Sequence, residues 1–164
     1  MILGKPVFRA AVAALLAMPS LASAQAPQQG PFAGFSGHWS GAGSLATGTG
    51  TERLRCQAYY EAGPNGTTLV QNLTCASDSY TFELRTDMRD EGGTIRGSWV
   101  EARRNVTGGI VGRSRGGRID ATVQGPGFSA TLALSTRADR QSVTIRTDAA
   151  ELSRVSIDLA RTSR

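Results

Sequence analysis

The sequence predicts an all-β protein, a single antiparallel up-and-down barrel of about 8–10 strands. Three observations carry this expectation. From Phe35 onward apolar and polar residues alternate with period two. Turn-forming clusters separate the alternating runs. No stretch beyond residue 24 sustains a helical period, and at most one helical turn is expected, near residues 149–153. A two-sheet sandwich is the alternative architecture for the same pattern.

The runs follow in order. Phe35, Trp39 and Leu45 share a face with Gly37, Gly41 and Gly43. Leu54, Cys56, Ala58 and Tyr60 oppose Arg53, Arg55, Gln57 and Tyr59. Leu69, Leu73 and Cys75 obey the same rule. Tyr80, Phe82, Leu84 and Met88 oppose Thr81, Glu83, Arg85 and Asp87, and Ile95, Gly97 and Trp99 oppose Arg96 and Ser98. Ile119, Ala121 and Val123, then Phe128, Ala130, Leu132 and Leu134, continue the series. Val143 with Ile145, and Val155 with Ile157 and Leu159, complete it. The breaks fall at Gly63-Pro64-Asn65-Gly66, Asp90-Glu91-Gly92-Gly93, Gly116-Gly117, Gly125-Pro126-Gly127 and Arg137-Ala138-Asp139-Arg140. A long meander with one apolar face buries that face, and removes its edges, by curling into a closed barrel.

The first 24 residues read as an export signal. Lys5 and Arg9 precede an alanine-rich apolar stretch, and Ala22-Ser23-Ala24 is a small-x-small cleavage site. Cleavage is expected after Ala24, with Ala26 as the rival position. Residues 25–34 are proline- and glycine-rich and read as a flexible lead-in, leaving 35–164 as the barrel domain. Removing 1–24 lowers the net charge from +5 to +3. The basic residues that remain are all arginines, interspersed with carboxylates and without the aromatic-laced basic stripe of a nucleic-acid binder. A bacterial periplasmic or secreted protein is expected. It should be monomeric and not inserted in a membrane after cleavage.

Cys56 and Cys75 lie on either side of Asn65-Gly66. A hairpin centred there sets them directly opposite on the inward face, within disulfide reach. Two-residue and four-residue loops both give this register, and Pro64, which lacks an N–H, favours the longer one. In an exporting context a structural disulfide follows.

No residue pattern points to catalysis, to a resident metal or to a cofactor. His38 is the only histidine. It falls on the polar face, and no Gly-x-Ser-x-Gly elbow accompanies it. Asp87, Asp90 and Glu91 sit beside Arg85 and Arg89 at a turn and read as solvated charges. The Asn-x-Thr sequons at Asn65, Asn72 and Asn105 read as chance. Glu101 and Arg161 are more informative. Each extends an inward series, so each should lie at a barrel end. The sharper expectation is that Arg161 stacks over Trp39 and closes one end.

Gly37-His38-Trp39, the long meander and the late Arg161 resemble the calycin barrels, the lipocalins and fatty-acid-binding proteins. The resemblance implies a barrel that holds an apolar ligand, with the arginine packed across the tryptophan. Phe35-Ser36-Gly37-x-Trp39-x-Gly41-x-Gly43, Arg55-Cys56-x-Ala58-x-Tyr60, Cys75-Ala76-Ser77-x-Ser79-Tyr80 and Gly97-x-Trp99-x-Glu101 are similar to segments of small exported bacterial proteins without an established activity. The opening Ser-Gly-x-Trp and the single disulfide also look like the periplasmic inhibitors of metalloproteases. In those a flexible N-terminal tail enters the protease; the corresponding Gln25 to Gly34 departs from them in its prolines.

Taken together, the expectation is an exported non-catalytic binding protein with a small apolar ligand in the barrel. The candidate ligand or interior residues are Tyr60, Phe82, Trp99, Glu101 and Phe128. The alternative is a module that binds an envelope protein, or inhibits a protease, through its outer face and tail. Its patches would be Arg103-Arg104-Asn105 and Arg113 to Arg118, the second of which otherwise reads as a solvated turn. Small inward residues (Gly41, Gly43, Ala58, Gly97, Ala121, Ala130) leave open whether the interior is hollow or filled.

Overall fold

The structure, a computed structural model, describes residues 29–147 and 152–163. The expected signal segment and most of the expected helical turn at 149–153 lie outside these residues. Ten antiparallel strands form one closed barrel. They are β1 (Gly37–Thr47), β2 (Gly50–Ala62), β3 (Thr68–Ala76), β4 (Thr81–Glu91), β5 (Thr94–Glu101), β6 (Val106–Arg115), β7 (Arg118–Gly125), β8 (Phe128–Arg137), β9 (Arg140–Thr147) and β10 (Arg154–Ser163). Each strand pairs with its neighbours in sequence, and β1 pairs with both β2 and β10. That last pairing distinguishes the barrel from the sandwich, because it leaves no open sheet edge. The expected all-β up-and-down barrel is therefore found.

Strand β6 is the one element of the barrel for which the sequence offers no alternating run. Gly108 and Gly112 take the place of apolar residues on its inward face, yet it pairs along its length with β5 and β7. Tertiary pairing overrides the low strand propensity of glycine here.

Alternation sets the wall. Along β2, Leu54, Cys56, Ala58 and Tyr60 are buried and Arg53, Arg55, Gln57 and Tyr59 are exposed. Burying a large apolar side chain contributes about 1.5–3 kcal/mol. The fully buried Trp39, Leu45, Leu54, Leu69, Ile95 and Ile119 therefore supply much of the drive to close.

The Cys56–Cys75 hairpin has the expected register, and the two sulfurs are bonded at 2.08 Å. Its loop is the longer form. Gly63 N–H donates to the Thr68 carbonyl at 3.0 Å and Gly66 N–H to the Gly63 carbonyl at 2.8 Å.

The two barrel ends differ. One end carries the turns at 63–67, 92–93, 116–117 and 138–139, and the N-terminal segment folds over it. Packed residues begin ahead of the boundary expected at residue 35. Phe32 is fully buried, Gly30 N–H donates to the Asn65 carbonyl at 2.8 Å, and Phe32 N–H donates to the Gly66 carbonyl at 2.9 Å. Gly66 has φ +64°, and a Cβ there would meet Ala33 N at 2.6 Å, so this crossing requires glycine. Composition marked 25–34 as a lead-in because one phenylalanine between glycines has no period to announce it.

Candidate functional site

The closed end is a polar-edged aromatic plug. Phe32 and Phe35 meet edge-on at 5.8 Å, Phe35 and Tyr60 at 5.9 Å, and Trp39 and Tyr60 at 6.1 Å. Trp39 Nε1–H donates to the Phe35 carbonyl at 2.9 Å. The Tyr60 hydroxyl donates to Gln141 Oε1 at 2.6 Å, and Gln141 Nε2–H donates to Thr136 Oγ1 at 3.0 Å. Burial pushes the Tyr60 phenol well above its ordinary value, and the Gln141 hydrogen bond offsets only part of that. Arg161 roofs the plug with its guanidinium 4.2 Å from the Trp39 ring centroid. It donates to the carbonyls of Gly34 and Ser36, and its Nε–H donates to Asp139 Oδ1 at 2.8 Å. The expected stacking of Arg161 on Trp39 is present.

Toward the other end the barrel is hollow. A cavity of about 410 Å³ runs from the plug to the turns at 48–49, 77–80, 102–105 and 126–127. Leu45, Leu54, Leu73, Ile110, Leu134 and Ile157 are among the aliphatic residues of its wall. Aromatic residues ring its mouth. Tyr80 and Phe82 stack at 6.2 Å, and Trp99 and Phe128 meet at 5.8 Å. The Trp99 indole N–H donates to the Gln124 carbonyl at 3.1 Å. Gly108 makes room for this ring: a Cβ there would meet Trp99 Nε1 at 2.6 Å and collide with the Gln124 carbonyl.

Glu101 lies at this mouth with 6% of its surface exposed. It accepts from the Glu83 N–H at 3.0 Å and the Arg104 N–H at 2.8 Å, and pairs with Arg104 Nη1 at 3.4 Å. Desolvation pushes its carboxyl up, but these two N–H donors and the Arg104 charge together hold it below the ordinary value. Arg104 also lies over Phe82, 5.6 Å from the ring centroid. Glu52 sits on the same rim, held low by hydrogen bonds from Ser77 and Ser79.

Of the five candidate interior residues, Phe82, Trp99, Glu101 and Phe128 line the cavity together. Tyr60 does not. It is interior, but its hydroxyl is committed to Gln141 within the plug. Period-two alternation reports which face a residue is on and not its height along the barrel axis, so it groups Tyr60 with the others. Arg104, expected in an outer patch, borders the cavity. Its place at a hairpin turn, beside an inward carboxylate, was the available signal. Gln71 and Thr86 also line the cavity and were not singled out. They fill the gaps in the inward series Leu69–Leu73 and Leu84–Met88.

Four arginines of the outer face are paired with carboxylates. Arg103 pairs with Glu83 at 3.1 Å and Arg118 with Asp120 at 2.6 Å. Arg85 and Arg96 pair with Asp87 at 3.5 Å and Glu91 at 3.3 Å. Asp90 accepts from Gly93 N–H and the Ser114 hydroxyl and so organises the turn that follows it. His38 is exposed and lies 4.8 Å from the Tyr59 ring. Among the described residues no three His, Cys, Asp or Glu side chains group to hold a metal ion.

Fold and site together define a closed ten-strand antiparallel barrel, plugged at one end and hollow toward the other, consistent with a calycin-like barrel. Compared with protein-family models and with curated proteins, the chain matches none.

Proposed function

We propose that this protein is an exported, non-catalytic carrier of the calycin-like class that holds a small apolar ligand inside its barrel. The observation that carries the reading is the cavity of about 410 Å³ with its apolar wall and aromatic mouth. Small-molecule sites typically occupy ~300–1,000 Å³ and combine such a wall with a few polar groups. Its wall is set by backbone pairing on every side of the closed sheet.

The compartment follows from two supports, the leader-like residues 1–24 and the Cys56–Cys75 disulfide. The outer face supports a water-facing barrel. Arg53, Arg55 and Gln57 on β2, and Arg85, Asp87 and Arg89 on β4, point outward where a membrane barrel would present an apolar band.

Native mass spectrometry of protein purified from its own cells tests the reading. The folded protein is expected to carry an added mass that is released on unfolding. Absence of any added mass, together with failure of a neutral fluorophore such as 1-aminoanthracene to enter the barrel, overturns it.

A further inference from the structure

The cavity wall is apolar except at its mouth and at one deeper place. Gln71 of β3 and Thr86 of β4 are register partners, and both line the cavity. The row continues on either side: Tyr60 of the plug pairs with Gln71, and Thr86 pairs with Trp99. Gln71 therefore stands where plug meets cavity, and Thr86 lies one strand nearer the aromatic residues. Thr86 is 7% exposed.

Neither side chain has a hydrogen-bond partner among the described residues. Yet no fully enclosed side-chain oxygen or nitrogen among those residues lacks a partner. The Thr86 hydroxyl and the Gln71 amide are thus open to the cavity rather than sealed in packing. A polar group facing an apolar chamber is costly until something hydrogen-bonds it. A hydroxyl and a carboxamide offer donors and acceptors without net charge. The one cation of the described lining, Arg104, is at the opposite end and already pairs with Glu101.

We infer that Gln71 and Thr86 are the polar recognition point of the cavity, and that its ligand is an apolar molecule carrying a neutral hydrogen-bonding group, a hydroxyl or a carbonyl, that lies deepest against the plug. The inference rests on the carrier reading above. A carboxylate does not suit this depth, because an amide and a hydroxyl cannot offset the desolvation of a charge.

Octane, 1-octanol and octanoate, competing with 1-aminoanthracene on the disulfide-bonded protein, test it. In the Thr86→Val, Gln71→Leu double variant the ratio of 1-octanol to octane affinity should fall about tenfold, with octane binding undiminished. An unchanged ratio overturns the inference while leaving the carrier reading intact. So does octanoate binding tightest and losing affinity in Arg104→Ala alone, which puts the head group at the mouth. If no probe enters the wild-type barrel, the carrier reading fails and takes this inference with it. Ligand-free Thr86→Val gives a second measurement, since valine keeps the shape and deletes the hydroxyl. Its melting temperature should rise by about 2–4 °C; a fall would show a hydroxyl needed by the fold and overturn the assignment.

Discussion

Arg161 and Trp39 are register partners on the two strands that close the barrel, and the arginine lies across the indole with 8% of its side chain exposed. One side chain thereby ties β10 to β1, to the 138–139 turn and to the segment before β1.

Arg161→Ala should cost about 3 kcal/mol, combining a desolvated cation–π contact with the loss of charge-assisted hydrogen bonds to backbone carbonyls. Arg161→Lys should recover little of this, because an ammonium cannot reproduce the planar fork. Urea unfolding followed by Trp39 emission measures both. A loss under about 0.5 kcal/mol for the alanine variant, the range of an ordinary surface change, would refute the bracing role.

The Cys56–Cys75 bond closes a loop between residues 19 apart. Replacing both cysteines with alanine should lower stability by about 3 kcal/mol on the chain-entropy account. Thermal unfolding with and without reductant gives the comparison. Thiol titration of the unfolded, unreduced protein should find no free thiol.

Acid should weaken the barrel's open end. A carboxyl held below its ordinary value stabilises the folded state above the unfolded value, taken as 4.5 for Glu101. That contribution is lost as pH falls through the lower folded value. Stability should therefore decline on acidification below about pH 4.5, and Glu101→Gln should flatten part of the decline. Glu52 is shifted in the same direction and acts in the same window. Chemical denaturation at stepped pH decides it: identical pH slopes for wild type and Glu101→Gln would remove Glu101 from the account.

Ala138 adopts φ +49°, a left-handed conformation that an L-residue with a Cβ holds at a cost. Ala138→Gly should relieve it and stabilise by about 0.5–1 kcal/mol after the added unfolded-state entropy of glycine. A destabilised variant would show that the alanine methyl has a packing role. The neighbouring Asp139 must be kept, since its carboxylate and carbonyl both accept from Arg161.

Gly108→Ala should displace the Trp99 ring and break its hydrogen bond to the Gln124 carbonyl, at a cost of about 1–3 kcal/mol. Trp99 emission should shift to the red while Trp39, sealed in the plug, is unaffected. An unchanged spectrum and unchanged stability would mean that β6 moves to accommodate the methyl.

By itself the sequence determined the alternation, and with it the strand faces, most of the turns, the cysteine register and the inward placement of Glu101 and Arg161. These are legible because side-chain direction in a strand depends only on residue parity, and hairpin register only on loop length. Height along the barrel axis was not legible, because strand tilt and the stagger between neighbours accumulate around the wall and are fixed only when β10 meets β1. Closure therefore decided that Tyr60 belongs to the plug and Phe82 to the cavity, although both face inward. It also joined Gln71 and Thr86, which the sequence shows only as two interruptions in apolar series. Finally, it brought Phe32 from an unpatterned segment into the core. A buried void is a property of how side chains from ten strands meet, and no one strand carries it.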